Sequence, residues 1–188
     1  MTVDGGGTVT GQAVGRPNIK RRGLRIPGVR SRRVPEGSSY KVMFVCSSGG
    51  HLAQVIKLRP WWEDRERVWV TFDKPDAVSQ LEGERMIAGH HPTTRNIPNL
   101  VRNLLLAIRV LREERPDVIF SNGAGLGVPF LWLGHLMGAR TVFFEVYDRI
   151  STPTMTARLV RPVCDMFLVQ WPEQLSFDPN AVLAGPVY

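Results

Sequence analysis

Two stretches of this chain place small, flexible residues directly after an apolar run: Val45-Cys46-Ser47-Ser48-Gly49-Gly50-His51-Leu52 and Val118-Ile119-Phe120-Ser121-Asn122-Gly123-Ala124-Gly125. Each reads as a buried strand, a tight turn and a helix start. Glycines in such a turn let the backbone approach a ligand, and the unpaired N–H groups of the helix N-terminus favour a negatively charged one, typically phosphate. The first turn has neither the Gly-x-Gly-x-x-Gly spacing of dinucleotide sites nor the Gly-Lys-Ser/Thr of the Walker A loop. Taken singly, it also fits a ligand-free connection. A third element is Thr141-Val142-Phe143-Phe144-Glu145, a strand with an acid at its tip. Ligands of open parallel sheets bind outside the carboxyl ends of the strands, so both turns and Glu145 are expected to face one crevice.

The elements that must position these residues alternate along the chain. Arg67–Phe72 reads as a second strand, 84–89 as a weaker third and Asp165–Val169 as a later one, with a last short strand at Ala181–Leu183 ending in Gly185-Pro186. Helical patterns fall between them: Leu52–Leu58 stopping near Pro60, a short one through Val78 and Leu81, Leu126–Met137, and Met155–Val160. The longest runs from Pro98 to Arg115. Leu100, Leu104, Ile108 and Leu111, widened by Val101 and Leu105, make its expected core face. Leu106 and Val110 flank the basic side, as in a helix that also touches a membrane surface. Strands separated by helices argue for right-handed βαβ crossovers and a doubly wound, Rossmann-like α/β domain over residues 40–188. Trp61 and Trp62 suit either an interfacial anchor or core packing.

Composition narrows the function classes. The formal charge is +7, but residues 1–39 carry eight basic residues against Asp4 and Glu36, leaving the rest, with sixteen basic and fifteen acidic, close to neutral. That basic, glycine-rich tail has no apolar periodicity and is expected to be disordered, serving as a polybasic arm on anionic lipid or as an unstructured extension. It is not a secretory signal, and no apolar run of the chain is long enough to span a bilayer. Cys46 and Cys164 lack metal or disulfide spacing and read as buried thiols. His90 and His91 have no ligand partners at suitable spacing, so no metal is expected, and neither is a cofactor.

The ordered set Val45–Leu52, Ser121–Gly125 with Val128-Pro129-Phe130, Phe144-Glu145, and Asp165–Trp171 resembles one family, the acceptor-side subunits of two-part glycosyltransferases. Its members include the eukaryotic subunit that helps add the second GlcNAc to dolichol-linked oligosaccharide, and bacterial subunits of exopolysaccharide and capsule synthesis. The resemblance covers about residues 40–188 and implies the N-terminal, acceptor half of a GT-B enzyme, with a separate catalytic partner supplying the nucleotide-sugar half. A more distant similarity is to the single-chain GlcNAc transferase of the peptidoglycan lipid intermediate. That likeness implies that Ser48, Gly49 and Gly50, together with Gly123, Ala124 and Gly125, hold a polyprenyl diphosphate through backbone N–H groups. His51 then corresponds to a residue that deprotonates or orients the acceptor hydroxyl, or alternatively caps the helix or donates to phosphate. Glu145 corresponds to an acid that accepts a hydrogen bond from the acceptor sugar, or else pairs with Arg149 or Arg158. The eukaryotic members carry an N-terminal membrane span where this chain has a polar tail, so the resemblance implies peripheral association with the cytoplasmic face of an anionic membrane.

The expected function is thus an accessory, acceptor-binding subunit of a heteromeric glycosyltransferase, inactive alone. The rival reading is a stand-alone phosphate- or nucleotide-binding module whose tail binds nucleic acid. The tail lacks interleaved aromatics and the body lacks a recognition motif, so nucleic acid is not an expected partner.

Overall fold

A computed structural model of the chain describes residues 40–187. The expectation of a disordered tail at 1–39 lies outside the described residues. Seven strands, β1 (Val42–Val45), β2 (Arg67–Phe72), β3 (Met86–Gly89), β4 (Val118–Ser121), β5 (Arg140–Phe144), β6 (Met166–Val169) and β7 (Val182–Leu183), form one sheet in the order β3-β2-β1-β4-β5-β6-β7. Every neighbouring pair is parallel. This is the doubly wound arrangement expected from the alternation of strands and helices. β1 and β4 are buried along their whole length, because helices cover both faces and neither strand has a solvent side to fill with polar residues.

One face packs against α4 (Ile97–Glu114), α5 (Gly127–Leu136) and α6 (Met155–Val160), burying Met43, Val45, Val70, Ile119, Phe130 and Phe143 among others. The opposite face packs against α1 (Gly50–Lys57), α2 (Arg59–Trp62) and α3 (Pro75–Gln80), around Phe44, Trp69, Phe120 and Phe144. Phe44 stacks on Trp69 with ring centroids 4.4 Å apart, and Trp62 meets Trp69 edge-on at 5.3 Å. The tryptophan pair therefore divides its labour. Trp62 is core and donates its indole N–H to Val55 O at 2.9 Å, whereas Trp61 remains at the rim, 37% exposed, against Phe44 and Phe120.

The orientation of α4 reverses the expectation. Its buried side holds Asn99, Asn103, Leu106, Ala107, Val110, Leu111 and Glu114, while Leu100, Val101, Leu104 and Leu105 point to solvent. Of the expected core face, Leu111 alone is fully buried. The polar members of the buried side each answer a specific group. Asn103 accepts from His90 N–H at 2.8 Å and donates to His90 O at 2.9 Å, Asn99 donates to Pro92 O at 3.0 Å, and Glu114 binds Lys41 and Arg85. Buried polar side chains that complete hydrogen bonds of a neighbouring loop stay buried, and apolar residues move outward in compensation.

Candidate functional site

Both glycine turns emerge where the sheet changes winding direction. Val45 and Ser121, the last residues of β1 and β4, are register partners. From there the chain continues towards β2 on one side and β5 on the other, which is the crevice geometry that binds ligands in open α/β sheets. In the first turn Gly49 has φ 77° and ψ −138°, a conformation open essentially to glycine. A Cβ placed on Gly49 or Gly50 would meet nothing within 4 Å, so the turn borders open space. α1 starts there with no side-chain cap and no acid in its first turn, leaving the leading N–H groups unanswered by the helix.

The second turn is tighter. Gly123 has φ 123° and Ala124 φ 58°. A Cβ on Gly123 would lie 2.9 Å from His51 Cε1, and one on Gly127 would collide with Ser121 Oγ. A Cβ on Gly125 would lie 3.1 Å from Thr93 Cβ, so the loop after β3 reaches this turn. α5 also begins without a side-chain cap or an acid in its first turn.

His51 joins the two turns. Its Nδ1 lies 3.0 Å from Asn122 O, and Asn122 Nδ2 donates to His51 O at 2.7 Å. A carbonyl can only accept, so Nδ1 carries the hydrogen and Nε2 keeps its lone pair. Burial lowers the His51 pKa from its ordinary 6.5, against the opposing pull of the Asn122 hydrogen bonds and Asp148. The ring is therefore neutral near pH 7, as a proton acceptor must be. Asn122 also buries its Oδ1 with no donor among the described residues. Sequence reasoning placed Asn122 inside the motif but gave it no role; the pairing with His51 spans 71 residues and has no local signal.

Two findings correct the expected picture. Glu145 stands at the tip of β5 but is fully buried, not facing the crevice. Its Oε1 accepts from Val146 N–H at 3.1 Å and Oε2 from Thr154 N–H at 3.1 Å, and its carbonyl accepts from Gln170 Nε2. Burial raises its pKa against these hydrogen bonds. No ion pair to Arg149 or Arg158 forms among the described residues. Glu145 thus holds the 146–153 loop at the cap of α6, helped by Gln174, which donates to Val146 O and Arg149 O. Glu145→Ala strands two backbone N–H groups and is expected to cost about 2–6 kcal/mol, at about 1–3 per orphaned group, read as a lower melting temperature.

Second, the Gly49 N–H is already engaged. Asp76, in the first turn of α3, accepts from it through Oδ2 at 2.6 Å. Of the remaining expected residues, Ser48, Ala124 and Gly125 are half-buried and Gly50 is exposed, whereas Gly123 is buried under His51 and its N–H donates to Ser121 Oγ at 3.3 Å. His90 and His91 do not converge on a ligand set. The backbone of His90 binds Asn103, and the His91 ring packs on Phe72 at 5.3 Å. Among the described residues no group of three His, Cys, Asp or Glu is placed to hold a metal ion. Burial pushes the Cys46 thiol up to about 12 and Cys164 upward as well.

A family model described as "Oligosaccharide biosynthesis protein Alg14 like" matches residues 71–186, well over half of the chain. The chain belongs to this Alg14-like family. Among its relatives, the UDP-N-acetylglucosamine transferase subunit ALG14 of Yarrowia lipolytica is 24% identical over 178 residues, covering 80% of this chain and 82% of that protein. The UDP-N-acetylglucosamine–N-acetylmuramyl-(pentapeptide) pyrophosphoryl-undecaprenol N-acetylglucosamine transferase of Clostridium kluyveri is 30% identical over 88 residues, 46% of this chain and 24% of that one. The crystal structure of Acinetobacter baumannii MurG superimposes with a TM-score of 0.59 at 12% identity, over 71% of this chain. The Alg14-like chain spans 42% of MurG, so the likeness is one of fold, to a Rossmann-like half of a GT-B enzyme.

Proposed function

We propose that this Alg14-like chain is the accessory, acceptor-binding subunit of a heteromeric glycosyltransferase. It orients a polyprenyl diphosphate-linked saccharide while a partner chain holds the nucleotide sugar, in the synthesis of a polysaccharide such as an exopolysaccharide or capsule. Family membership supports the transferase-subunit part, and the names of the relatives point to UDP-N-acetylglucosamine as donor. The observation that carries the acceptor part is the convergence of two glycine turns, one open and one tight, on adjacent strands, with His51 bridging them. On this reading the N–H groups of Ser48, Gly50, Ala124 and Gly125 hold the diphosphate, while those of Gly49 and Gly123 are engaged by Asp76 and by Ser121 Oγ; neither α1 nor α5 carries an acid in its first turn.

In the transfer step the acceptor hydroxyl oxygen forms a bond to the anomeric carbon of the donor sugar. The bond from that carbon to the nucleotide phosphate breaks, the nucleoside diphosphate departs, and the hydroxyl proton passes to His51 Nε2. Asn122 fixes the tautomer. Glu145 acts on the acceptor through the loop it holds. The lipid-linked acceptor places the reaction on the cytoplasmic face of a membrane; among the described residues no helix is long and apolar enough to cross one.

Asp76 sets a condition on acceptor entry, because its carboxylate sits on a donor that the diphosphate needs. Removing that negative charge in Asp76→Ala is expected to lower the KM for the lipid acceptor several-fold with kcat little changed, since like charges at such range repel by several kcal/mol at most. A raised KM would assign Asp76 to holding the turn instead. The function itself is tested by co-purifying the partner and assaying transfer from UDP-N-acetylglucosamine to a polyprenyl diphosphate sugar. Turnover is expected from the pair and not from either chain alone. Full turnover by the purified chain would contradict the split assignment.

A further inference from the structure

The loop between β3 and α4, residues 90–96, is built firmly against the crevice. Both backbone groups of His90 are bonded to buried Asn103, Pro92 O accepts from buried Asn99, and the His91 ring packs on Phe72. Asn96, the N-cap of α4, closes the loop by accepting from Asn99 N–H at 2.9 Å. Held at both ends, the loop brings Thr93 to the second glycine turn. A Cβ on Gly125 would lie 3.3 Å from the Thr93 carbonyl oxygen and 3.5 Å from its hydroxyl oxygen, so glycine there is what lets the two segments come this close.

Two polar side chains of the loop are uncommitted. Among the described residues, the half-buried Thr93 offers its hydroxyl and the exposed Arg95 its guanidinium to no hydrogen bond or ion pair. Arg95 also has φ 50°. The other non-glycine residues with positive φ among those described have local reasons for it: Arg115 is the C-cap of α4, and Ala124 belongs to the second turn itself. Arg95 stands just before an N-cap, where glycine fits this conformation at lower cost. An arginine kept in such a conformation points to use of its side chain. Two residues along the chain, its Cα is within about 7 Å of that of Thr93.

Charge says what these groups bind. A polyprenyl diphosphate ester is negative on both phosphates, yet the turns at 46–52 and 121–127 contain no lysine or arginine. Their N–H groups are neutral donors, and Asp76 adds a negative charge beside the first turn. The 85–112 stretch, by contrast, has no acid, so nothing within its own segment neutralises Arg95. Lys74 and Arg149 also flank the crevice, but Asp76 lies two residues from the first and the Glu145 carboxylate is near the second. A planar guanidinium matches two phosphate oxygens at once, and a threonine hydroxyl donates to a third. We infer that the 90–96 loop is a third wall of the acceptor site, on which the Arg95 guanidinium and the Thr93 hydroxyl bind the diphosphate. This rests on the proposed acceptor-binding function and adds to it the cation that the two turns lack.

The test titrates the purified full-length chain, in detergent without phospholipid, with inorganic pyrophosphate and with a short-chain polyprenyl diphosphate sugar. Arg95→Gly removes the guanidinium and supplies the residue best suited to φ 50°. Its melting temperature should not fall, while Kd for both probes should rise about 10- to 100-fold. Arg95→Lys keeps the charge without the fork and should fall between the two. Thr93→Val keeps the shape without the hydroxyl and should bind about threefold or more weakly. In the reconstituted pair, Arg95→Gly should raise the KM for the lipid acceptor with kcat little changed, since the diphosphate is held alike before and during transfer.

Gly50→Glu separates the two claims. If it abolishes binding while Arg95→Gly and Thr93→Val bind like the native chain, the acceptor site stands and the third wall is wrong. If Arg95→Gly weakens only sedimentation with anionic phospholipid vesicles, the guanidinium meets headgroups instead of the acceptor, and the inference is again overturned. If Arg95→Gly loses both probes and Gly50→Glu keeps them, the loop holds the diphosphate and the first turn does not. A native chain that binds neither probe removes the acceptor site and this wall with it.

Discussion

Gly50→Glu is expected to abolish sugar transfer while leaving the chain as stable as before. Residue 50 has ordinary helical geometry and nothing within 4 Å of the position a side chain would take, so the substitution meets no steric obstacle. An acid in the first turn of a helix is favourable by about 0.3–1 kcal/mol, and glutamate is the better helix former. What changes is charge. A carboxylate about 4 Å from the diphosphate opposes it by about 4 kcal/mol at an effective dielectric constant near 20, which is about a thousandfold in rate. Gly50→Ala fills the same space without the charge and is expected to stay within about tenfold of the native rate. Rate measurements on the reconstituted pair, beside thermal melts of the three chains, check this. A native rate from Gly50→Glu would remove the first turn from the diphosphate site.

The second large effect is at His51. His51→Ala is expected to lower kcat by about 10²- to 10⁴-fold, the range lost with a general base. It also removes the donor to Asn122 O, so part of any loss in stability belongs to the turn rather than the chemistry. His51→Gln offers an N–H to the same carbonyl and should recover stability without recovering rate. The pH dependence follows from the direction of the pKa shift. Because burial lowers the folded value below 6.5, the ring is neutral above that pH, and the rate should hold steady down to about 6.5 and fall at lower pH. The unfolded chain binds the proton first, so the stability contribution of a neutral His51 is complete above about 6.5 and is lost as the pH falls from there towards the folded value. A rate with no fall on the acid side of 6.5, with His51→Gln near the native rate, would leave His51 as a structural donor only.

How far these features were legible in the sequence depended on how local their causes are. The parallel sheet was legible because apolar strands such as Val42–Val45 and Val118–Ser121 alternate with helix-length segments, and crossover handedness then leaves few arrangements. The glycine turns were legible because their constraint is a backbone one, visible at Gly49 and Gly123 as conformations that side chains rarely adopt. Glu145 was placed correctly at the end of β5, but its orientation was not, since the groups that bind it lie in the loop and cap that follow. Asp76 meets Gly49 across 27 residues only because β2 pairs with β1 and returns α3 beside the first turn. The face of α4 was inverted for a related reason. Asn99, Asn103 and Glu114 look like solvent residues until the loop at 90–92, Lys41 and Arg85 are brought against them. Apolar periodicity alone assigns such residues outward.

In the proposed division of labour this chain holds the lipid-linked acceptor and its partner holds the donor. Calorimetric titration of the purified chain, in detergent, with a short-chain polyprenyl diphosphate sugar and separately with UDP-N-acetylglucosamine tests it most directly. The expected result is saturable binding of the diphosphate sugar, displaced by inorganic pyrophosphate and lost in Gly50→Glu, and no heat from the nucleotide sugar. Saturable binding of UDP-N-acetylglucosamine with none of the lipid diphosphate would contradict it.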